Sequence, residues 1–269
     1  MEYTGYKLEP IKFSAKPVAE TVKQFMESYT KPVVPAYRTI VNDLLTTTHL
    51  GVVDARFVYT PLFGFGVTTI FNEFFKSYPA GEEEVALIYE SFVSALDFSP
   101  ADFRADTAAV AAAFEGKTEA DILAIFETPD ESPLGVTAKA VKDKAGLSAK
   151  DQFLYTRSFG VGIFTLMSAV GIEDIGVDDL TKWSKAMGFS SMMMERDLDL
   201  FKDSLSKLKE MEQLFKEIEI REKKKLAARL EEKAQKAAEA AKKALEAETG
   251  GTSEPEASTE EGEKASAEI

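Results

Sequence analysis

One apolar, glycine-bearing segment occurs twice in the chain, and this repeat restricts the folds that the chain can adopt. The first copy is Tyr59–Phe71 and the second, ninety-six residues later, is Tyr155–Met167; six of their thirteen positions are identical. In each copy apolar residues and glycines recur at i, i+3, i+4 and i+7, which is typical of one face of an α-helix. The opposite face is scarcely more polar, so we expect both helices to be surrounded by protein. Chance similarity between two buried helices is the alternative.

Each copy carries two glycines within one helical turn: Gly64 and Gly66 in the first, Gly160 and Gly162 in the second. A glycine inside a helix costs about 1 kcal/mol relative to alanine. We therefore expect these glycines to allow close approach to a neighbouring backbone, and we predict that the two copies form a central helix pair that crosses near them. Neither segment reaches the length of about 20 apolar residues that a membrane-spanning helix needs.

Both copies also contain Gly-x-Gly-x-x-Thr, which is close to the dinucleotide-binding fingerprint. That fingerprint functions only between a β-strand and the helix that follows it. No strand pattern precedes either copy, so nucleotide binding is disfavoured, and a nucleotide-binding enzyme stays only as a remote alternative.

The remaining helix signals predict an all-α fold, a compact helical bundle with a long C-terminal helix. We expect an extended N-terminal arm over residues 1–20 and a helical body over residues 21–189. From 190 to 248 the chain lacks Pro and Gly and is rich in Ala, Leu, Glu and Lys. This predicts one helix on the order of 80–90 Å long, docked on the body in its first half and projecting from it in its second. Residues 249–269 read as a disordered acidic tail.

Local signals place several boundaries inside the body. Thr21–Gln24 and Ser148–Asp151 resemble capping boxes, and we expect the second to open the second core helix. Residues 128–135, which contain two prolines, are predicted to be a mobile loop. Residues 136–145 are predicted to form a weak helix with little to bury.

Charge and composition exclude several kinds of site. The formal net charge of −14 argues against a protein that wraps nucleic acid. Without cysteine and with one histidine, the chain offers no thiolate nucleophile and no multi-histidine metal cluster. His49 is interpreted as a packed core residue, and the acid pairs Asp178-Asp179 and Asp197-x-Asp199 as caps or solvated side chains. The sequence therefore predicts neither an enzyme nor a bound cofactor.

A basic cluster interrupts this acidic chain. Residues 216–243 hold ten Lys or Arg against six Glu, whereas residues 250–269 carry a net charge of −5. Such a run is often only a soluble helix face, but it also fits contact with an anionic membrane or partner surface. The candidate partner-binding residues are Arg221, Lys223, Lys224, Lys225 and Arg229.

Several motifs follow one another along the chain: Lys31-Pro32 with Tyr37-Arg38, Asp43–Leu45 with His49-Leu50, Phe57–Gly66, Tyr155–Gly162, Glu195–Asp199 with Leu205–Leu208, and the charged Arg221–Lys225. In this order they resemble the thylakoid formation family of cyanobacteria and chloroplasts, which is also described as a photosystem II biogenesis family.

The resemblance implies an all-helical, non-catalytic protein in the chloroplast stroma or on the stromal face of the thylakoid, or on the cytosolic face in a cyanobacterium. It implies a role in photosystem II assembly and repair and in chlorophyll-protein stability. The implied partners are the thylakoid FtsH protease complex, photosystem subunits and, peripherally, the thylakoid membrane. A pigment- or lipid-binding protein that uses the space between the glycine-bearing helices is the alternative, with His49 as the one imidazole available to chlorophyll.

Overall fold

The structure is a computed structural model that describes residues 16–249, apart from the side chains of Phe215, Glu219 and residues 244–249. Over these residues the chain forms ten α-helices and no β-strand, so the all-α prediction is confirmed. The helices are α1 Val18–Ser28, α2 Pro35–Val52, α3 Pro61–Phe75, α4 Glu82–Ala95, α5 Pro100–Phe114, α6 Glu119–Glu127, α7 Pro133–Lys142, α8 Arg157–Ala169, α9 Val177–Met187 and α10 Met192–Thr249.

The two predicted terminal segments fall mostly outside the described residues. Residues 1–15 of the predicted arm lie outside them, but Val18–Glu20 already belong to α1, so the extended arm is wrong at its C-terminal end. Of the predicted acidic tail, only Thr249 is described, as the last residue of α10.

The chain divides into two compact units, Met1–Glu210 and Met211–Ile269. The first unit consists of two similar groups of helices. In the first group α1 packs against α2 and α4, and in the second group α6 packs in the same way against α7 and α9. The helices that carry the sequence repeat, α3 and α8, share the most extensive contact between elements. The repeat in the sequence is therefore part of a larger repeat in the fold.

This larger repeat continues after α4 and α9. Each of these helices ends just before a residue in the left-handed backbone region, Asp97 with φ 64° and Gly188 with φ 90°, a conformation that favours glycine and commonly ends a helix. A Phe-Ser pair and a later aspartate then follow at a constant separation of ninety-one residues. The matched pairs are Phe98 with Phe189, Ser99 with Ser190, and Asp106 with Asp197.

The two repeated helices begin with the same cap. The Thr60 hydroxyl accepts a hydrogen bond from the Phe63 backbone N–H at 3.2 Å, and the Thr156 hydroxyl accepts one from Phe159 at 3.3 Å. A threonine at this position satisfies one of the N–H groups that a helix start leaves without a partner. The prediction that Ser148–Asp151 opens the second core helix is wrong, because these residues form a turn and α8 begins only after Thr156.

The structure corrects three other predictions about the helical body. The predicted capping box at Thr21 lies inside α1, where the Thr21 side chain is fully buried. The predicted mobile loop ends early because Ser132 caps α7, which begins at Pro133. Of the predicted weak helix 136–145, residues 136–142 belong to α7 and bury Ala138 and Val141 in the core, whereas residues 143–145 form a turn.

The long C-terminal helix is continuous over 58 residues, which corresponds to a length of about 87 Å. At its start, Met194 and Leu198 are buried in the core of the first unit. Every side chain described between Ile220 and Lys243 is exposed. Among the described residues, no helix combines the length and the apolar character that crossing a membrane requires.

Candidate functional site

The exposed part of α10 carries most of its positive charge on one face. Residues three and four apart are neighbours on a helix surface, and five basic residues recur at this spacing. We call them the basic face: Arg221, Lys225, Arg229, Lys233 and Lys236. Glu222, Glu232 and Glu239 also lie on this face at 100° per residue, whereas Glu231 lies on the other side of the helix. The five cations of the basic face therefore exceed its acids by two.

The basic face separates the predicted partner-binding residues into two sets. Arg221, Lys225 and Arg229 belong to it, whereas Lys223 and Lys224 lie on other sides of the helix. Within the basic face, Lys236 pairs with Glu232 at 2.7 Å, but both side chains are exposed and such surface pairs contribute little to stability. The cations of this face are therefore available to a charged surface.

Two leucines border the basic face. Leu226 and Leu230 are each 59% exposed and lie one turn apart. Apolar side chains beside a row of cations are typical of helices that bind an anionic surface. The arrangement can combine charge attraction with the burial of apolar area.

The four predicted glycines allow two different kinds of close contact. A β-carbon added at Gly66 would overlap the Ser158 carbonyl oxygen, and one added at Gly162 would lie 2.8 Å from the Leu62 carbonyl oxygen. These two glycines therefore lie where the backbones of α3 and α8 cross. Gly64 and Gly160, which were also predicted to serve the helix pairing, face other groups.

Gly64 and Gly160 make room for a tyrosine hydroxyl from the start of their own repeat. A β-carbon at Gly64 would lie 2.6 Å from the Tyr59 hydroxyl, and one at Gly160 would overlap the Tyr155 hydroxyl. In each repeat the tyrosine side chain packs against the first turn of the helix that follows it. The position beside its hydroxyl therefore needs a residue without a β-carbon.

In the first repeat the tyrosine meets a buried carboxyl group. The Tyr59 hydroxyl donates a hydrogen bond to Asp106 Oδ2 at 2.5 Å. Asp106 is 2% exposed, and burial raises its pKa to about 7, because a low-dielectric environment disfavours the charged form. This carboxyl group therefore changes charge near neutral pH.

In the second repeat Asp197 takes the equivalent place. It is 3% exposed and its Oδ1 lies 3.7 Å from Arg157 Nε. The Tyr155 hydroxyl is buried without a well-formed hydrogen bond, and burial, together with the nearby Asp197 carboxylate, raises the pKa of this hydroxyl. The prediction of a solvated carboxylate is thus wrong for Asp197, although Asp199 is exposed.

His49 is a packed core residue, as interpreted from the sequence. It is 2% exposed, and its Nδ1 lies 2.9 Å from the Thr21 hydroxyl. Burial, followed by the nearby Lys16 cation, lowers the pKa of His49. Over the described residues no group of three or more His, Asp or Glu side chains is arranged to hold a metal ion.

The Gly-x-Gly segments lie inside α3 and α8, and turns and irregular chain precede both helices. The strand that a dinucleotide site requires is therefore missing before each of them.

Sequence inspection missed Tyr59, Tyr155 and Asp106 as functional candidates. Their signal was present in the repeat, since both tyrosines open it and a Phe-Ser pair precedes both aspartates. These matches are short, and the tyrosine and the aspartate of each repeat lie more than forty residues apart in the sequence, so only the fold makes the correspondence evident.

Comparison with known proteins gives consistent matches. The family model described as thylakoid formation protein matches residues 17–230, a range that includes most of the basic face. Protein THYLAKOID FORMATION1, chloroplastic, of Solanum tuberosum is 32% identical over 212 residues, which cover 79% of this chain and 70% of that protein. Protein Thf1 of Synechococcus elongatus is 30% identical over 203 residues, which cover 73% of this chain and 79% of that protein.

A solved structure supports the same assignment. The structure of Psb29 at 1.55 Å superposes with a TM-score of 0.68 and 25% sequence identity, and the match covers 79% of this chain and 99% of that one. The family match spans well over half of the chain, and both plant and cyanobacterial relatives agree with it. This chain belongs to the thylakoid formation protein family.

Proposed function

We propose that this protein is a non-catalytic accessory factor of thylakoid biogenesis that supports photosystem II assembly and repair. It acts in the chloroplast stroma or at the stromal face of the thylakoid, or at the cytosolic face in a cyanobacterium. It holds thylakoid FtsH protease complexes and photosystem subunits, and so supports chlorophyll-protein stability. Family membership supports the link to thylakoids, and the names of the relatives describe formation rather than a reaction.

The observation that carries this proposal is the basic face of α10. A protein with a net charge of −14 repels acidic partners over most of its surface. The basic face reverses that charge locally, and Leu226 and Leu230 beside it supply apolar area. An acidic protein surface is the partner that this combination fits best, and a peripheral contact with anionic thylakoid lipids would use the same residues.

Reversing two charges of the basic face is expected to weaken partner attachment. The Lys225→Glu/Arg229→Glu variant should recover at least about tenfold less FtsH and photosystem protein from solubilised thylakoids, because attraction becomes repulsion at the centre of the contact. The measurement is affinity capture followed by quantitative mass spectrometry. Raising the salt concentration should reduce capture by the unmodified chain in the same direction.

The matched control is Lys223→Glu/Lys224→Glu, which changes the net charge equally but lies off the basic face. We expect this variant to retain most of the capture. Equal losses in both variants would mean that overall charge governs attachment, and unchanged capture in both would remove the support for α10 as the binding element. Sedimentation with vesicles that contain phosphatidylglycerol separates a lipid contact from a protein contact.

The alternative function, binding of a pigment or lipid between the glycine-bearing helices, has less support. Gly66 and Gly162 bring the backbones of α3 and α8 together at the crossing, and His49 is buried against Thr21. Mixing the purified protein with chlorophyll should leave it colourless after gel filtration. A chlorophyll absorbance band that co-elutes with the protein would restore this alternative.

A further inference from the structure

The second group of helices contains a large groove. It lies between the end of α7, the chain segment 143–156, the end of α9 and the start of α10, and has a volume of about 790 Å³. The groove beside Tyr59, at the equivalent place in the first group, has a volume of about 290 Å³. Binding sites for small organic molecules typically measure about 300–1,000 Å³, so the second groove is large enough for such a ligand.

The floor of this groove is aromatic. Phe153, Tyr155 and Phe189 line it and are each partly buried. The rings of Tyr155 and Phe189 lie 5.8 Å apart, and both pack against Phe159 beneath them. These rings hold one another in place and present an apolar surface on which a ring or a short hydrocarbon chain can pack.

The rim of the groove is cationic. Lys144 and Lys185 line it together with Ser190 and Ser191. The groove of the first group is lined instead by Asp102 and Asp106. The two grooves therefore differ in the charged side chains that line them, lysines in the second group and aspartates in the first.

We propose that the second groove binds a small, soluble anionic amphiphile. Its carboxylate, sulfonate or phosphate group lies between Lys144 and Lys185, and its apolar part packs on the three rings of the floor. Because the chain as a whole carries a charge of −14, it does not attract anions generally, and these two lysines supply the local attraction. This inference is independent of the proposed role of the basic face.

The test uses 8-anilinonaphthalene-1-sulfonate, an anionic aromatic dye whose fluorescence rises in apolar surroundings. Titration of the full chain should show saturable binding, and laurate should displace the dye. The Lys144→Glu/Lys185→Glu variant should bind the dye at least about tenfold more weakly, because both cations become anions. Circular dichroism should show unchanged helix content in this variant, so that loss of binding is not loss of folding.

The control variant is Lys76→Glu/Lys117→Glu, which makes the same charge change at exposed lysines outside the groove. It should bind the dye as the unmodified chain does. Equal affinities for the groove variant and the control variant would overturn the proposal. Displacement by phosphatidylglycerol vesicles but not by laurate would also overturn it, in favour of docking on a membrane.

Discussion

Replacing Gly66 with alanine is expected to destabilise the first unit by about 3 kcal/mol, one of the two largest effects that the structure predicts. The added methyl group would overlap the Ser158 carbonyl oxygen, which is backbone and cannot move aside as a flexible side chain can. The helices α3 and α8 would have to separate, and core residues along both would lose contacts. Thermal unfolding followed by circular dichroism should show a decrease in Tm on the order of 10 °C.

Gly51→Ala is the matched control for this substitution. Gly51 also lies inside a helix, but an added β-carbon there would meet only the Thr156 γ-methyl group, at 3.3 Å. Its stability should stay within about 1 kcal/mol of the unmodified chain, since alanine also favours the helix. A Gly66→Ala variant as stable as the Gly51→Ala variant would show that the two helices do not cross in close contact.

Replacing Asp106 with asparagine is expected to remove a pH-dependent part of the stability. Burial raises the pKa of Asp106 to about 7 in the folded protein, whereas it is about 3.9 in an unfolded chain. The folded state therefore binds this proton more tightly than the unfolded chain does. The proton's contribution to the free energy of unfolding is fully present below the pKa that Asp106 has in the unfolded chain. It is lost as the pH rises through the folded-state pKa of about 7. Between pH 5 and pH 8 the free energy of unfolding of the unmodified chain should fall by about 2–3 kcal/mol relative to that of the asparagine variant.

Denaturant unfolding of both proteins at the two pH values measures this difference. Asp102→Asn is the control, because Asp102 lies on the same helix α5 but is exposed. Its stability should change with pH as that of the unmodified chain does. If Asp106→Asn and Asp102→Asn show the same pH dependence, Asp106 does not keep its proton in the folded protein.

The sequence was sufficient to predict the helices whose signals are local. Pro35, Pro61 and Pro100 occupy the first helical position of α2, α3 and α5, respectively, and Gly188 follows α9 in the left-handed conformation that commonly ends a helix. These features depend on a few adjacent residues, so they can be inferred without knowledge of the tertiary structure.

The errors arose where distant residues decide the outcome. Residues 136–145 seemed to have little to bury, yet Ala138 and Val141 enter a core to which other helices contribute most of the surface. Asp197 was interpreted as a cap or a solvated side chain because its burial depends on helices remote in sequence. Gly64 and Gly160 were assigned to the helix crossing because spacing alone does not distinguish contact with another backbone from contact with a tyrosine ring.

The proposed function makes one central claim, that α10 attaches the protein to partners in the thylakoid. The most direct test compares the tagged full chain with a variant that ends at Ile220, each used to capture proteins from detergent-solubilised thylakoids for mass spectrometry. We predict that FtsH and photosystem II subunits accompany the full chain and are lost from the shortened one. Capture of the same proteins in equal amounts by both would contradict the claim and would place the binding site in the helical body.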